Sequence, residues 1–149
     1  MTDDALRRLV AIEEIRQLKH LYCLHCDRGY EPDAIAALFT EDAVWDGGLT
    51  GQAIGRAAIR DFFAAVSGRF PYAAHLVTNP IITVDGDTAR GDWRMLMPCI
   101  IDDGTARYSA IQCSEYNETY RREDGRWLIA SLKVRRHRMQ FADAHWTER

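Results

Sequence analysis

The chain has 149 residues, 47% of them apolar and 28% charged, with a formal net charge of −3. That length suits one domain, 1–149, whose core needs neither disulfides nor a metal. The slight acidic excess excludes a global attraction to nucleic acid or to an anionic membrane surface, and no apolar run reaches the length of a membrane span. The start, Met1-Thr2-Asp3-Asp4, is acidic and unlike a secretory signal, so the expected location is the cytoplasm. There the four cysteines, Cys23, Cys26, Cys99 and Cys113, are expected to remain thiols.

From Ala5 to about Cys26, the residues Ile12, Ile15, Leu18, Tyr22 and Cys26 recur at three- and four-residue spacings, which predicts a helix with one apolar stripe. Cys23-Leu24-His25-Cys26 has redox or zinc spacing, and His20 lies nearby. It falls inside the helical pattern, however, and no second ligand pair follows. Buried thiols are the preferred reading, and no metal is expected. Asp27 closes this helix at the edge of the stripe. A carboxylate there opposes the negative end of the helix dipole and needs a compensating partner.

Pro32-Asp33 opens a short helix from Ala34 to Phe39, with proline in its favoured first turn. Thr40-Glu41-Asp42 ends it, and Ala43-Val44-Trp45 begins a strand. Gly47, Gly48, Gly51 and Gly55 lack phosphate-loop spacing and read as turns. They lead into a third helix, Ala57 to about Val66, with Ile59, Phe62, Phe63 and Val66 on one face.

From residue 72 the period changes to that of strands, at about 73–84, 88–100, 107–121 and 126–139. Asp85-Gly86-Asp87, Asp102-Asp103-Gly104 and Glu123-Asp124-Gly125 supply the turns between them. Helices first and an antiparallel meander afterwards predict an α+β fold with the helices on one face of the sheet. His75, in Ala73-Ala74-His75-Leu76-Val77-Thr78, reads as part of a strand. On the last strand Leu128, Leu132 and Val134 share a face that continues into Arg136 and Arg138. Either this end of the strand meets solvent, or one of the two guanidinium groups sits at a cavity rim and holds developing negative charge. The run from Lys133 to Arg138 is basic, but strand alternation splits its charges between two faces, so no nucleic-acid partner is expected.

Four stretches carry a family resemblance. They are Ile15-Arg16-Gln17-Leu18-Lys19-His20-Leu21-Tyr22 followed by Asp27; Thr40-Glu41-Asp42-Ala43-Val44-Trp45; His75 with Thr78-Asn79-Pro80; and Tyr120-Arg121-Arg122-Glu123-Asp124-Gly125-Arg126-Trp127. Together they resemble the SnoaL-like branch of the nuclear-transport-factor-2-like (NTF2-like, cystatin-like) superfamily. Within it the chain looks most like the group of scytalone dehydratase, bile-acid 7α-dehydratase and hexachlorocyclohexane dehydrochlorinase. The resemblance covers nearly the whole chain. It implies a cone: a strongly curved, mostly antiparallel sheet around a pocket closed by the N-terminal helices.

In that group the matching aspartate and histidine form the catalytic dyad, which implies catalytic roles for Asp27 and His75. Tyr22 matches a tyrosine of the bile-acid enzyme, where the dehydrochlorinase has lysine. Arg136 matches an arginine of the bile-acid enzyme better, and Arg138 one in the dehydrochlorinase pocket, so both remain candidates. The second pocket histidine and the asparagine of scytalone dehydratase have no clear counterpart, and scytalone is not the expected substrate. The family also implies no metal or organic cofactor, and a homo-oligomer, either trimer or dimer.

The expected function is cofactor-independent elimination of the dehydratase type, or isomerisation, of a small molecule. His75 would remove a proton from carbon, Asp27 would stabilise the imidazolium, and Tyr22 would donate a hydrogen bond to the carbonyl or leaving group. Trp45, Trp93, Tyr116, Phe39, Phe62 and Met95 would line an apolar wall suited to a flat or polycyclic substrate. Taken singly, the aromatic residues among these read as core before substrate wall. The alternative is a non-catalytic ligand-binding or assembly subunit of the same fold, such as the small subunit of a ring-hydroxylating dioxygenase. How the third helix and the tail from Phe141 to Arg149 close the cone is not readable from periodicity.

Overall fold

The computed structural model of the protein describes residues 2–142. Thr2 caps the first helix, α1 (Asp3–Asp27), by accepting a hydrogen bond from the Ala5 N–H, and Asp3 and Asp4 suit its positive first turn. Of the predicted stripe, Ile15, Leu18, Tyr22 and Cys26 are buried and Ile12 is half-buried, and Cys23 and Lys19 are buried with them. Beyond Asp27, Gly29 takes a φ of +90°, which turns the chain out of the helix. A second helix, α2 (Pro32–Ala36), has only five residues and stops short of the predicted end.

The polar triplet Thr40-Glu41-Asp42 does not end that helix. It lies inside strand β1 (Phe39–Asp46). The pairing of β1 with its neighbour shifts register between Phe39 and Val44. Such a bulge interrupts the alternation of inward and outward side chains, so the triplet looks like loop in sequence. The glycines that follow flank a second strand, β2 (Gln52–Ile54), which pairs antiparallel with β1 and was not foreseen. Gly47 has a packing reason as well: a Cβ there would stand 2.4 Å from the Trp45 ring. The next helix, α3 (Arg56–Val66), buries Ile59 and Phe63.

The remaining strands are β3 (Tyr72–Ala73), β4 (Leu76–Asp85), β5 (Thr88–Asp102), β6 (Arg107–Glu123) and β7 (Arg126–Phe141). All three predicted turns are found between β4 and β7. Asp124 and Gly125 both have positive φ, as a two-residue hairpin loop with the twist of its strands requires. The sheet runs β2-β1-β7-β6-β5-β3, with β4 also on β5. One pair, β1 with β7, is parallel, so the sheet is mixed and remains open. The architecture is the expected α+β arrangement. Inward residues of the sheet, among them Trp93, Tyr116, Tyr120 and Leu132, share one core with Ile15, Tyr22, Ile59 and Phe63 from the helices.

Two details of this sheet position the site. His75 is not within a strand: it falls in the two-residue break between β3 and β4. The last strand, β7, carries two extra residues against β6. Tyr120 pairs with Ile129 and Thr119 with Ser131, leaving Ala130 over, while Ser114 pairs with Arg136 and Cys113 with Arg138, leaving His137 over. Each bulge reverses the inward–outward parity. Leu132, Val134 and Arg136 therefore share a face that Leu128 and Arg138 do not, which corrects the single-face reading of β7. Among the described residues no helix is long and apolar enough to cross a membrane. Most of the tail expected to help close the cone, residues 143–149, lies outside the described residues.

Candidate active site

Asp27 ends α1, and the break between β3 and β4 brings His75 to it. One carboxylate oxygen, Oδ1, accepts the His75 backbone N–H at 2.9 Å and contacts the ring Nδ1 at 2.7 Å. Both contacts follow from the local chain. Outside a ladder the His75 N–H is free to donate, and a carboxylate at the negative end of a helix needs donors. A carboxylate accepts, so Nδ1 is the donor in this contact, and in the neutral ring that tautomer leaves Nε2 as the acceptor. The His75 side chain is 6% exposed and that of Asp27 32%. The histidine is shielded while the acid keeps partial access to water.

His75 stands on the wall of a cavity of about 300 Å³. Tyr22, Trp45, Phe62, Met95 and Tyr116 also line it, so five of the residues expected around a substrate are brought together. Trp45 donates its Nε1–H to the Tyr22 oxygen at 3.1 Å. Burial pushes the Tyr22 phenol well above its ordinary pKa, with Cys26 and Tyr116 adding in the same direction. The hydroxyl therefore stays protonated; its oxygen accepts from Trp45, and it also makes a hydrogen bond with Cys26 on the same helix.

Other expectations are placed elsewhere. Phe39 and Trp93 are buried in the core but do not line the cavity among the described residues. Phe39 instead meets the Tyr22 ring edge-on, and Trp93 donates its Nε1–H to Tyr120. Arg136 lines the cavity. Arg138 does not: the extra His137 turns it to the outer face, where it bonds the His137 carbonyl at 2.9 Å.

Two features were missed in the sequence. Tyr30 lines the cavity with its ring stacked on Phe63, edge-on to His75, and with a backbone φ of +58°. That conformation costs about 1–3 kcal/mol for a bulky residue and clusters at functional sites. The signal was Gly29, whose position just past a helix end marks a chain reversal. The second feature is a fully buried ion pair, Lys19 Nζ to Glu118 Oε1 at 2.5 Å. The same ammonium lies 3.3 Å from the Tyr116 ring centroid and 4.6 Å from that of Tyr22. Glu118 also accepts the Tyr120 hydroxyl. Lys19 on an apolar helical stripe, and Glu118 on the inward face of a strand, were the signals here.

Cys23 and Cys26 are free thiols inside α1, and among the described residues no three His, Cys, Asp or Glu side chains gather as a metal site. Burial pushes the Cys23 and Cys99 thiols up to about 11 and holds Cys26 well above its ordinary value. Because these folded values lie above the ordinary one of 9.0, the unfolded chain loses the protons first as pH rises. The stability they contribute is intact below about pH 9 and declines toward pH 11. Unfolding midpoints measured across that window are expected to fall. At pH 7.5 a maleimide is expected to label only the exposed Cys113 in the folded protein, and labelling of two or more thiols would refute this.

The sequence profile of the SnoaL-like domain matches residues 7–133, most of the chain. The protein belongs to the SnoaL-like family. Its solved neighbours have the NTF2-like, cystatin-like fold. A candidate scytalone dehydratase from Novosphingobium aromaticivorans superposes with a TM-score of 0.80 at 24% identity, covering 93% of this chain and 91% of that one. The type-3 hexachlorocyclohexane dehydrochlorinase of Novosphingobium barchaimii superposes at 0.86 with 23% identity, over 97% and 99%. A candidate aromatic ring hydroxylase from N. aromaticivorans gives 0.76 at 27% identity, over 86% and 90%. No protein of curated description matches the chain. At these identities the first two likenesses establish the fold alone.

Proposed function

We propose that this SnoaL-like protein is a cofactor-independent lyase that eliminates water, or a comparable leaving group, from a small apolar substrate. The observation that carries the reading is the Asp27–His75 hydrogen bond on the wall of an aromatic cavity. His75 Nε2 takes a proton from a carbon made acidic by a neighbouring carbonyl, and the C–H electron pair becomes the new double bond. The departing hydroxide takes the proton back from the imidazolium and leaves as water. Asp27 stabilises the imidazolium between these steps, and the Tyr22 hydroxyl donates to the carbonyl oxygen. Returning the proton to a different carbon would give isomerisation by the same residues.

Dehydratase and dehydrochlorinase neighbours of the same fold support this class. The test is a screen of aromatic and polycyclic β-hydroxy ketones for loss of water by mass spectrometry, with His75→Ala as the comparison. Conversion by wild type alone supports the proposal, and equal conversion by both ends it.

The ring-hydroxylase neighbour favours a second reading, a ligand-binding or assembly subunit. Ligand binding without turnover, or a stable complex with a large iron–sulfur subunit, would favour it. Four free thiols fit a reducing compartment such as the cytoplasm. We also expect a second copy of the chain on the outer sheet face, where Leu76 and Leu96 are paired across strands and exposed beside Ile111. Light scattering should give a mass of about two or three chains, a closed homo-oligomer. A 17.0 kDa particle would refute that expectation.

A further inference from the structure

The charged lining of the cavity has one sign. Arg136 stands on the inward face of β7, whereas Lys133 and Arg135 border the cavity from positions that alternate to the other face, and among the described residues no aspartate or glutamate lines it. Yet the chain as a whole carries 22 acidic residues against 19 basic ones. Lys133 and Arg135 are partly balanced from outside, by Asp46 at 3.9 Å and Glu115 at 3.3 Å. Arg136 differs. Its strand partner is the buried Ser114, and its side chain bonds the Met139 sulfur, a weak acceptor, at 3.5 Å. Among the described residues no carboxylate pairs with it, which leaves a planar fork of donors at the cavity.

Strand register places that fork relative to the dyad. Arg136 pairs with Ser114, Ser114 with Met95, and Met95 with Val77, two residues beyond His75. Three strand spacings amount to roughly 14 Å along the curved sheet. The guanidinium and the imidazole therefore stand on different walls, with Met95 and Tyr116 on the strands between. A ligand in contact with both needs an apolar body and an anionic end. A cavity of about 300 Å³ suits a body of two fused rings.

We infer that the cavity takes a two-ring apolar carboxylate, its rings against Met95 and Tyr116 and its carboxylate paired with Arg136. The inference rests on the cavity being the substrate site and names the substrate class for it. Arg136 is then an anchoring residue and not a stabiliser of charge at the reacting carbon.

The test compares 2-naphthoate with its neutral near-isostere 2-naphthamide by isothermal titration at low salt. Wild type is expected to bind naphthoate at least about tenfold more tightly, as a bidentate guanidinium pair implies. In Arg136→Gln the two should bind within about twofold of each other. Arg90→Gln removes a cation from an exposed position on β5 and should keep the wild-type preference. Equal binding of the two compounds to wild type overturns the inference. So does a preference that survives Arg136→Gln, loss of the preference in Arg90→Gln, or no binding of either compound at millimolar concentration. Conversion is scored separately: carboxylates that bind with the Arg136-dependent preference but are never converted support this inference and overturn only the lyase reading.

Discussion

His75→Ala is expected to lower kcat on any converted substrate by about 10²–10⁴-fold, the usual contribution of a positioned general base. The reason lies in the hydrogen-bond arrangement. Asp27 holds Nδ1–H, so Nε2 is the only ring atom left to accept a proton, and nothing replaces it in the alanine variant. Asp27→Asn tests the other half of the pair. The asparagine oxygen can still accept the His75 backbone N–H, so the local chain keeps its anchor and only the charge is lost. An imidazolium formed during turnover would then stand without its counter-charge, and a fall of comparable size is expected. Unfolding midpoints close to wild type for Asp27→Asn would show that the loss is chemical. Both variants retaining more than about a tenth of wild-type kcat would sink the proposed mechanism, since general-base removal costs at least about 10².

The second large effect concerns stability and a pair that touches no substrate. Lys19→Met and Glu118→Gln are each expected to cost about 3–5 kcal/mol, because each strands the opposite charge in the core. Both side chains are 0% exposed, so water cannot take over the lost partner. For a chain of this size that corresponds to a fall in Tm of about 10 °C. The double variant should lose less than the sum of the singles, by about 1–3 kcal/mol, because it strands neither charge. The amide oxygen introduced by Glu118→Gln can still accept the Tyr120 hydroxyl, so the cycle isolates the ion pair. Urea unfolding measures all four proteins. Single variants within about 1 kcal/mol of wild type would mean that the pair is solvated after all. The rings of Tyr22 and Tyr116 rest on this ammonium, so the cavity wall depends on a charge buried behind it.

Much of this organisation was legible in the residues. Spacing of Ile15, Leu18, Tyr22 and Cys26 specified α1 and its buried face, because a helix repeats its surface every 3.6 residues whatever it packs against. Asp-Gly turns marked the hairpins, since few residues accept positive φ. The anomalies of Asp27 and His75 were visible too, as a carboxylate at an unfavourable helix end and a histidine in an apolar run. Their meeting was not. It depends on a break between β3 and β4 that no local pattern announces, and that break frees the backbone N–H which Asp27 accepts. The β7 bulges decided in the same way between Arg136 and Arg138, residues of identical chemistry two positions apart. Lys19 and Glu118 lie 99 positions apart, and each alone looked like a misplaced charge. Sequence by itself determined most of the elements, the core face of α1 and the candidate acid–base residues, because propensity and periodicity act over a few residues. Register, bulges and the joining of distant charges were left to the tertiary structure, where packing of the whole sheet chooses among local patterns of nearly equal energy.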